Sequence, residues 1–113
     1  MIENRKAARF SVHVPLHVCA PKGGVPEYYT GQLQDISRTG ILFHSQVTFE
    51  LGASLELSFC LPAEKERTTC VLVRASSKTL RVWELPGEPG ALYGIAVTID
   101  RIEFIRPETS TAA

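Results

Sequence analysis

The stretch Phe10-Ser-Val-His-Val-Pro-Leu-His-Val-Cys19 alternates apolar and polar side chains with a period of two. This alternation is typical of a strand with one buried face, so we predict a strand of about ten residues here. Pro15 has no backbone N–H to donate to a neighbouring strand, so we expect a sheet edge or a β-bulge on its side.

Further strands are predicted on both sides of a series of turn-rich segments. Residues 21–26 and 86–90 are rich in proline and glycine and predict loops, and residues 76–79 predict a turn. The remaining apolar or alternating segments predict strands at residues 28–33, 41–45, 55–61, 69–75, 80–85 and 93–99.

The sequence therefore favours an all-β fold. No segment keeps the 3.6-residue apolar period of a helix over twelve residues, and residues 100–106 are the best candidate for one or two helical turns. Six or seven short strands at near-regular spacing predict an antiparallel barrel or sandwich, and closure into a barrel would remove exposed edges. We expect a flexible segment at residues 1–9, one domain at residues 10–106 and a disordered tail at residues 107–113.

Composition excludes several classes of partner. Twelve basic residues balance twelve acidic ones, so binding of DNA or RNA through bulk charge is not expected. No apolar run approaches the ~20 residues of a membrane span, and the start of the sequence lacks the apolar segment of a secretory signal. Cys19, Cys60 and Cys70 form no close pair in the predicted strands, so we expect reduced, buried or half-buried thiols and a cytoplasmic protein.

Catalysis is not expected either. Ser37, His44 and Asp35 could be assembled into a triad, but no nucleophile elbow or glycine-rich oxyanion loop accompanies them. His13 and His17 have a spacing that chelates metal on a helix, whereas four residues of a strand span ~13 Å, too far for one ion. We therefore predict neither an enzyme nor a metal or cofactor site.

Two short patterns remain. Arg5-Lys-Ala-Ala-Arg9 is an R-x-x-x-R directly before the first strand, and chance gives such a pair in about every other sequence of this composition. Asp35-Ile-Ser-Arg-Thr-Gly40 is a D-x-S-x-x-G between two predicted strands, which chance supplies about one or two times in a hundred. The same letters also suit a plain turn, in which Gly40 would supply a positive φ.

Together the two patterns, in an all-β domain of this length, resemble those of a PilZ domain. Phe10-Ser-Val12, Ile41-Leu-Phe43 and Tyr93-Gly-Ile95 are similar to family strands, and the resemblance covers roughly residues 5–100. Val97 departs from the phenylalanine that many members carry, and the helix often appended after the barrel looks short or absent. The resemblance implies a PilZ-type barrel that binds the bacterial second messenger cyclic di-GMP.

The resemblance also implies which residues hold this ligand. Arg5 and Arg9 would form an arginine clamp, since a guanidinium can fork onto phosphate oxygens, pair with guanine O6 and N7, or stack on a base. Asp35 would accept from the N–H groups of guanine.

Three more residues complete the implied site. Ser37 would add a small donor and acceptor, and Gly40 would let the backbone approach the ligand. Arg38 lies inside the second motif and could add a contact.

A domain with this site and no catalytic groups would act through a partner. We expect the ligand to order residues 1–9, so that an unidentified effector protein reads the changed surface. One alternative is a PilZ-like adaptor that acts by protein contact without nucleotide. Another is a small oligonucleotide-binding barrel or an unrelated sandwich, which neutral charge and few aromatic residues on the strands disfavour.

Overall fold

The computed structural model describes residues 10–62, 70–87 and 90–105. Over these residues the chain forms seven β-strands: β1 (Phe10–Ser11), β2 (Pro15–Lys22), β3 (Val25–Ile36), β4 (Gly40–Ser45), β5 (Ser54–Pro62), β6 (Cys70–Glu84) and β7 (Tyr93–Ile105). These residues contain no helix, and hence none that could cross a membrane. The segments predicted to be flexible or disordered, residues 1–9 and 107–113, lie outside the described part of the chain.

Six of the strands close into a ring. β2 pairs with β3, β3 with β4, β4 with β7, β7 with β6, β6 with β5, and β5 returns to β2, all antiparallel. Each of these six strands therefore has a partner on both sides, which is how a barrel removes its edges. The predicted antiparallel barrel of six to seven strands is confirmed.

The predicted first strand is interrupted where Pro15 stands. β1 and β2 both pair with β3, but Ser11 lies opposite Asp35 and Pro15 opposite Gln32, so one extra residue is inserted between them. The N–H of Val12 still donates to the carbonyl of Gln34, at 3.1 Å. Since proline is tolerated at the first position of a strand, the chain makes its irregularity just before β2.

Residues 21–26 do not form the predicted loop. β2 extends to Lys22 and β3 begins at Val25, so only Gly23 and Gly24 connect the two strands. Their φ angles are 60° and 83°. Positive φ at both central residues gives a tight turn whose twist matches the two strands, and two glycines adopt it without strain.

The turn predicted at residues 76–79 is wrong, because β6 runs straight through it. Ser77 and Thr79 are 2% and 3% exposed. The hydroxyl of Ser77 donates to the carbonyl of Leu55 at 3.0 Å, and the N–H of Thr79 donates to the carbonyl of Ala53 at 2.9 Å. Polar residues can remain in a buried strand face when their groups find partners on the next strand.

The helical turn predicted at residues 100–106 is also wrong over the described positions. β7 continues to Ile105, which lies opposite Leu72 of β6. On the exposed side, Lys78 and Asp100 form an ion pair at 3.0 Å.

Apolar side chains from all six ring strands fill the interior. They are Leu16, Val18, Leu33, Ile36, Ile41, Phe43, Leu55, Leu57, Phe59, Val73, Ala75, Ile95 and Val97. The outer faces of β3, β4, β7 and β6 are thus free to carry a site.

Candidate functional site

The D-x-S-x-x-G motif forms the tight turn between β3 and β4. Ser37 and Gly40 close the turn, with the N–H of Ser37 donating to the carbonyl of Gly40 at 2.9 Å. The hydroxyl oxygen of Ser37 accepts from the N–H groups of Thr39 and Gly40, both at 3.3 Å. The serine therefore organises the turn, as the interpretation of the motif as a plain turn requires.

Replacing Ser37 with alanine is expected to lower the free energy of unfolding by about 1 kcal/mol, because two backbone N–H groups lose their acceptor. Urea denaturation of both proteins measures this difference. Ser37→Thr keeps the hydroxyl and should remain close to the wild type. Equal stability of Ser37→Ala and the wild type would show that the hydroxyl does not hold the turn.

The close packing of β4 against β7 requires a glycine at position 40. The φ of Gly40 is not positive, so the interpretation in which Gly40 supplies a positive φ to a plain turn is wrong. A Cβ at this position would lie 2.8 Å from the carbonyl oxygen of Val97 on β7. A backbone atom cannot swing aside as a side chain can, so only glycine lets β4 and β7 meet here.

Four strands line up one row of residues across the outer surface. Asp35 lies opposite Leu42, Leu42 opposite Ala96, and Ala96 opposite Arg81. Since neighbouring strands lie about 4.8 Å apart, Asp35 and Arg81 are separated by roughly 14 Å along the sheet. Both are at least partly exposed to solvent.

This row crosses a groove of about 570 Å³. Its lining comprises Asp35, Ser37, Thr39, Gly40, Ile41, Leu42, Leu80, Arg81, Trp83, Ala96, Val97 and Thr98. The structure thus brings together Asp35, Ser37 and Gly40 from the predicted site. Arg38 is exposed and lies outside the lining, while Arg5 and Arg9 lie outside the described residues.

The described part of the chain begins beside this groove. Phe10, the first described residue, lies opposite Ile36, and Ser11 lies opposite Asp35. The chain therefore enters the barrel one residue away from the turn that Ser37 begins.

One side of the groove was not predicted from the sequence. Arg81 and Trp83 of β6 line it, and the Arg81 guanidinium lies 5.5 Å from the centre of the Trp83 ring. Arg81 and Trp83 are two positions apart in the sequence, so their side chains lie on the same face of a strand. That spacing was the available signal, but alternation alone does not say which face is outside.

No group of three or more potential metal ligands is present among the described residues. His17 on β2 is exposed, and so is His13, which lies in the interruption between β1 and β2 rather than on a strand. The hydroxyl of Ser37 is engaged within its own turn, which is unlike a nucleophile held by a histidine.

The cysteines depart from the prediction. Cys19 and Cys70 are half-buried and free, but Cys60 is exposed, and it forms a close pair with Cys70 on the neighbouring strand. Hydrogen bonding with the Cys70 thiol, and to a smaller extent loss of hydration, raises the pKa of Cys60. A thiol with a raised pKa is less reactive at neutral pH.

Comparison with known proteins gives the class of this barrel. The PilZ domain family model matches residues 3–102, so the chain belongs to the PilZ domain family. PilZ domains form a family of cyclic di-GMP receptors and adaptors. No curated protein matches the chain.

A solved structure shares this fold. The chain is similar to the structure of Bacillus subtilis inhibitor of motility (MotI/DgrA), with a TM-score of 0.69 and 19% sequence identity. The match covers 90% of this chain and 45% of the MotI/DgrA chain, so this chain spans less than half the length of MotI/DgrA. At this identity the likeness shows the fold alone.

Proposed function

We propose that this PilZ domain is a cytoplasmic, non-catalytic receptor that binds cyclic di-GMP in the groove beside the β3–β4 turn. One observation carries the proposal. β1 pairs with Asp35 and Ile36, so the residue that follows the R-x-x-x-R segment in sequence lies beside the D-x-S-x-x-G turn at one corner of the barrel. The ligand needs both motifs at the same place.

Chain length supports the role of both arginines. Arg9 is bonded to Phe10, whose Cα is one 3.8 Å step away, so a clamp at this corner requires no rearrangement of the barrel. Arg5 precedes Arg9 by four residues, a span of at most ~14 Å. Their guanidinium groups would fork onto phosphate oxygens or guanine O6 and N7.

The turn supplies the remaining contacts. Asp35 would accept from N1–H and the N2 amino group of a guanine, which adenine cannot donate in the same pattern. Ser37 and Gly40 would shape the approach, because the serine holds the turn and the glycine keeps β4 against β7. Arg38, exposed at the tip of the turn, could reach a phosphate of the ligand.

Binding would be relayed through the N-terminal segment. Residues 1–9 would become ordered across the groove when the clamp closes, and an effector protein would read the surface that results. Hydrogen exchange of these residues, measured with and without cyclic di-GMP, tests the relay. We expect protection to rise on binding; unchanged protection would remove the relay and leave the binding in place.

Titration calorimetry with cyclic di-GMP tests the function itself, with GMP and cyclic di-AMP as controls. We expect micromolar or tighter binding of cyclic di-GMP and much weaker binding of the other two, because each lacks part of the recognised pattern. No heat at tens of micromolar would overturn the receptor function. It would favour the adaptor that acts through protein contact alone.

A further inference from the structure

We propose that Cys60 and Cys70 form a site of reversible oxidation, at which a peroxide joins the two thiols as an intramolecular disulfide. The two residues, here called the Cys60–Cys70 pair, belong to neither motif and lie outside the lining of the groove. The inference is independent of the proposed binding of cyclic di-GMP.

The pairing of β5 with β6 puts both sulfur atoms on one face of the sheet. Cys60 lies opposite Leu72, and Cys70 lies opposite Pro62, two residues further along β5. Side chains alternate between the two faces of a strand, so Cys60 and Cys70 are diagonal neighbours on the same face. Phe59 is buried in the core, so this face is the outer one.

The two thiols already contact each other. The hydrogen bond that raises the pKa of Cys60 joins it to the Cys70 thiol, so the sulfur atoms are neighbours in the reduced protein. Cys60 is exposed and Cys70 is half-buried, so a small oxidant can reach the pair from solvent. The thiolate is the reactive form, so the raised pKa of Cys60 makes oxidation faster in mildly alkaline solution than at neutral pH.

The pair stands at the end of the β5–β6 ladder, where the backbone can adjust. Diagonal neighbours have Cα atoms about 7–8 Å apart, whereas a disulfide usually spans about 4.4–6.8 Å, so closure requires a small shift. Pro62 and Cys70 are the last residues paired in the described part of this ladder. Pro62 has no N–H to donate to β6, so it offers less resistance to that shift than another residue would.

The reaction balances with one molecule of hydrogen peroxide. Two S–H bonds break and one S–S bond forms, and the two electrons released cleave the O–O bond. The two protons complete two molecules of water. A thiol reductant reverses the reaction by exchange, and exposed or strained disulfides are the ones most easily reduced.

Cys19 is an internal control for the pair. It lies opposite Glu56 on β5, four residues before Cys60, which places it ~13 Å from Cys60 along the strand. Two cysteines whose Cα atoms are more than about 7 Å apart cannot be bridged without movement of the backbone. Cys19 should therefore keep its thiol when the pair is oxidised.

Peptide mapping of the full chain detects the disulfide. The protein is treated with hydrogen peroxide in mildly alkaline solution, alkylated with iodoacetamide and digested with trypsin, without reduction. Cleavage after lysine and arginine puts the three cysteines on different peptides, residues 10–22, 39–65 and 68–74. We expect peptide 39–65 linked to peptide 68–74, peptide 10–22 alkylated, and loss of the link after treatment with dithiothreitol.

Two variants accompany the map. Cys70→Ser should abolish the link and leave Cys60 open to alkylation, whereas Cys19→Ser should form the link as the wild type does. Full alkylation of Cys60 and Cys70 after peroxide treatment would overturn the proposal. So would a link that includes Cys19, a link between two chains, or oxidation of the pair to sulfinic acids without a link. Should Cys70→Ser fail to fold, the wild-type map decides by itself.

Discussion

Replacing Arg9 with alanine is expected to weaken cyclic di-GMP binding roughly 10- to 150-fold, since hydrogen bonds from a charged group contribute about 1.5–3 kcal/mol. Of the two arginines in the proposed clamp, Arg9 is the nearer to Phe10, which lies opposite Ile36 at the corner of the groove. A neighbouring residue can replace the charge of Arg9 less easily than it can replace the charge of Arg5. Calorimetric titration of both proteins measures the ratio of dissociation constants.

Three further variants make the result specific. Arg5→Ala should cost less than Arg9→Ala, because Lys6 can partly replace it as a point charge. Arg9→Lys should recover only part of the affinity, because an ammonium group cannot form the bidentate contact. Arg106→Ala removes an equal charge outside both motifs. A comparable loss in Arg106→Ala would contradict the site, since the effect would then be one of net charge.

Gly40→Ala is expected to destabilise the barrel by about 1–3 kcal/mol, because the new methyl group would overlap the Val97 carbonyl and push β4 away from β7. The free energy of unfolding from urea denaturation measures this loss. Affinity for cyclic di-GMP should fall as well, because Asp35 and Ser37 are held by the same turn.

Gly24→Ala is the matched control. Gly24 has a positive φ and open space around it, so alanine there strains the backbone without a collision. It lies in the β2–β3 hairpin, at the opposite end of β3 from Asp35. We expect Gly24→Ala to lose stability and keep its affinity. A Gly40→Ala protein as stable as the wild type would show that β4 and β7 adjust freely.

The fold could be predicted from alternation because each strand has one face in the core. Phe43 and Ile95 illustrate this, since each sits at the inward position of a short alternating segment. The errors occurred where the local sequence suggests a turn and tertiary pairing overrides it. Ser77 finds a partner on β5, Thr79 finds one at Ala53 just before β5, and residues 100–105 pair with β6. Such partners are distant in sequence and cannot be deduced from the segment itself.

The residues of the candidate site also differ in whether the local sequence could predict them. Asp35, Ser37 and Gly40 are within six residues, so a local pattern could point to them, and the structure brings them to one groove. The side of the groove formed by Arg81 and Trp83 depends on the extra residue at Leu80, which exists only because of the register between β6 and β7. The segment around Trp83 alone does not distinguish a tryptophan that packs in the core from one that lines a groove.

The attachment of β1 has a practical consequence for any assay. An affinity tag fused ahead of residue 1 is joined through residues 1–9 to Phe10 at the rim of the groove, so it would lie close to the proposed nucleotide site. β7 instead carries the chain from Thr98 to Ile105, about 23 Å further along the barrel wall. Surface immobilisation and fluorescent labels should therefore be placed on the carboxyl side.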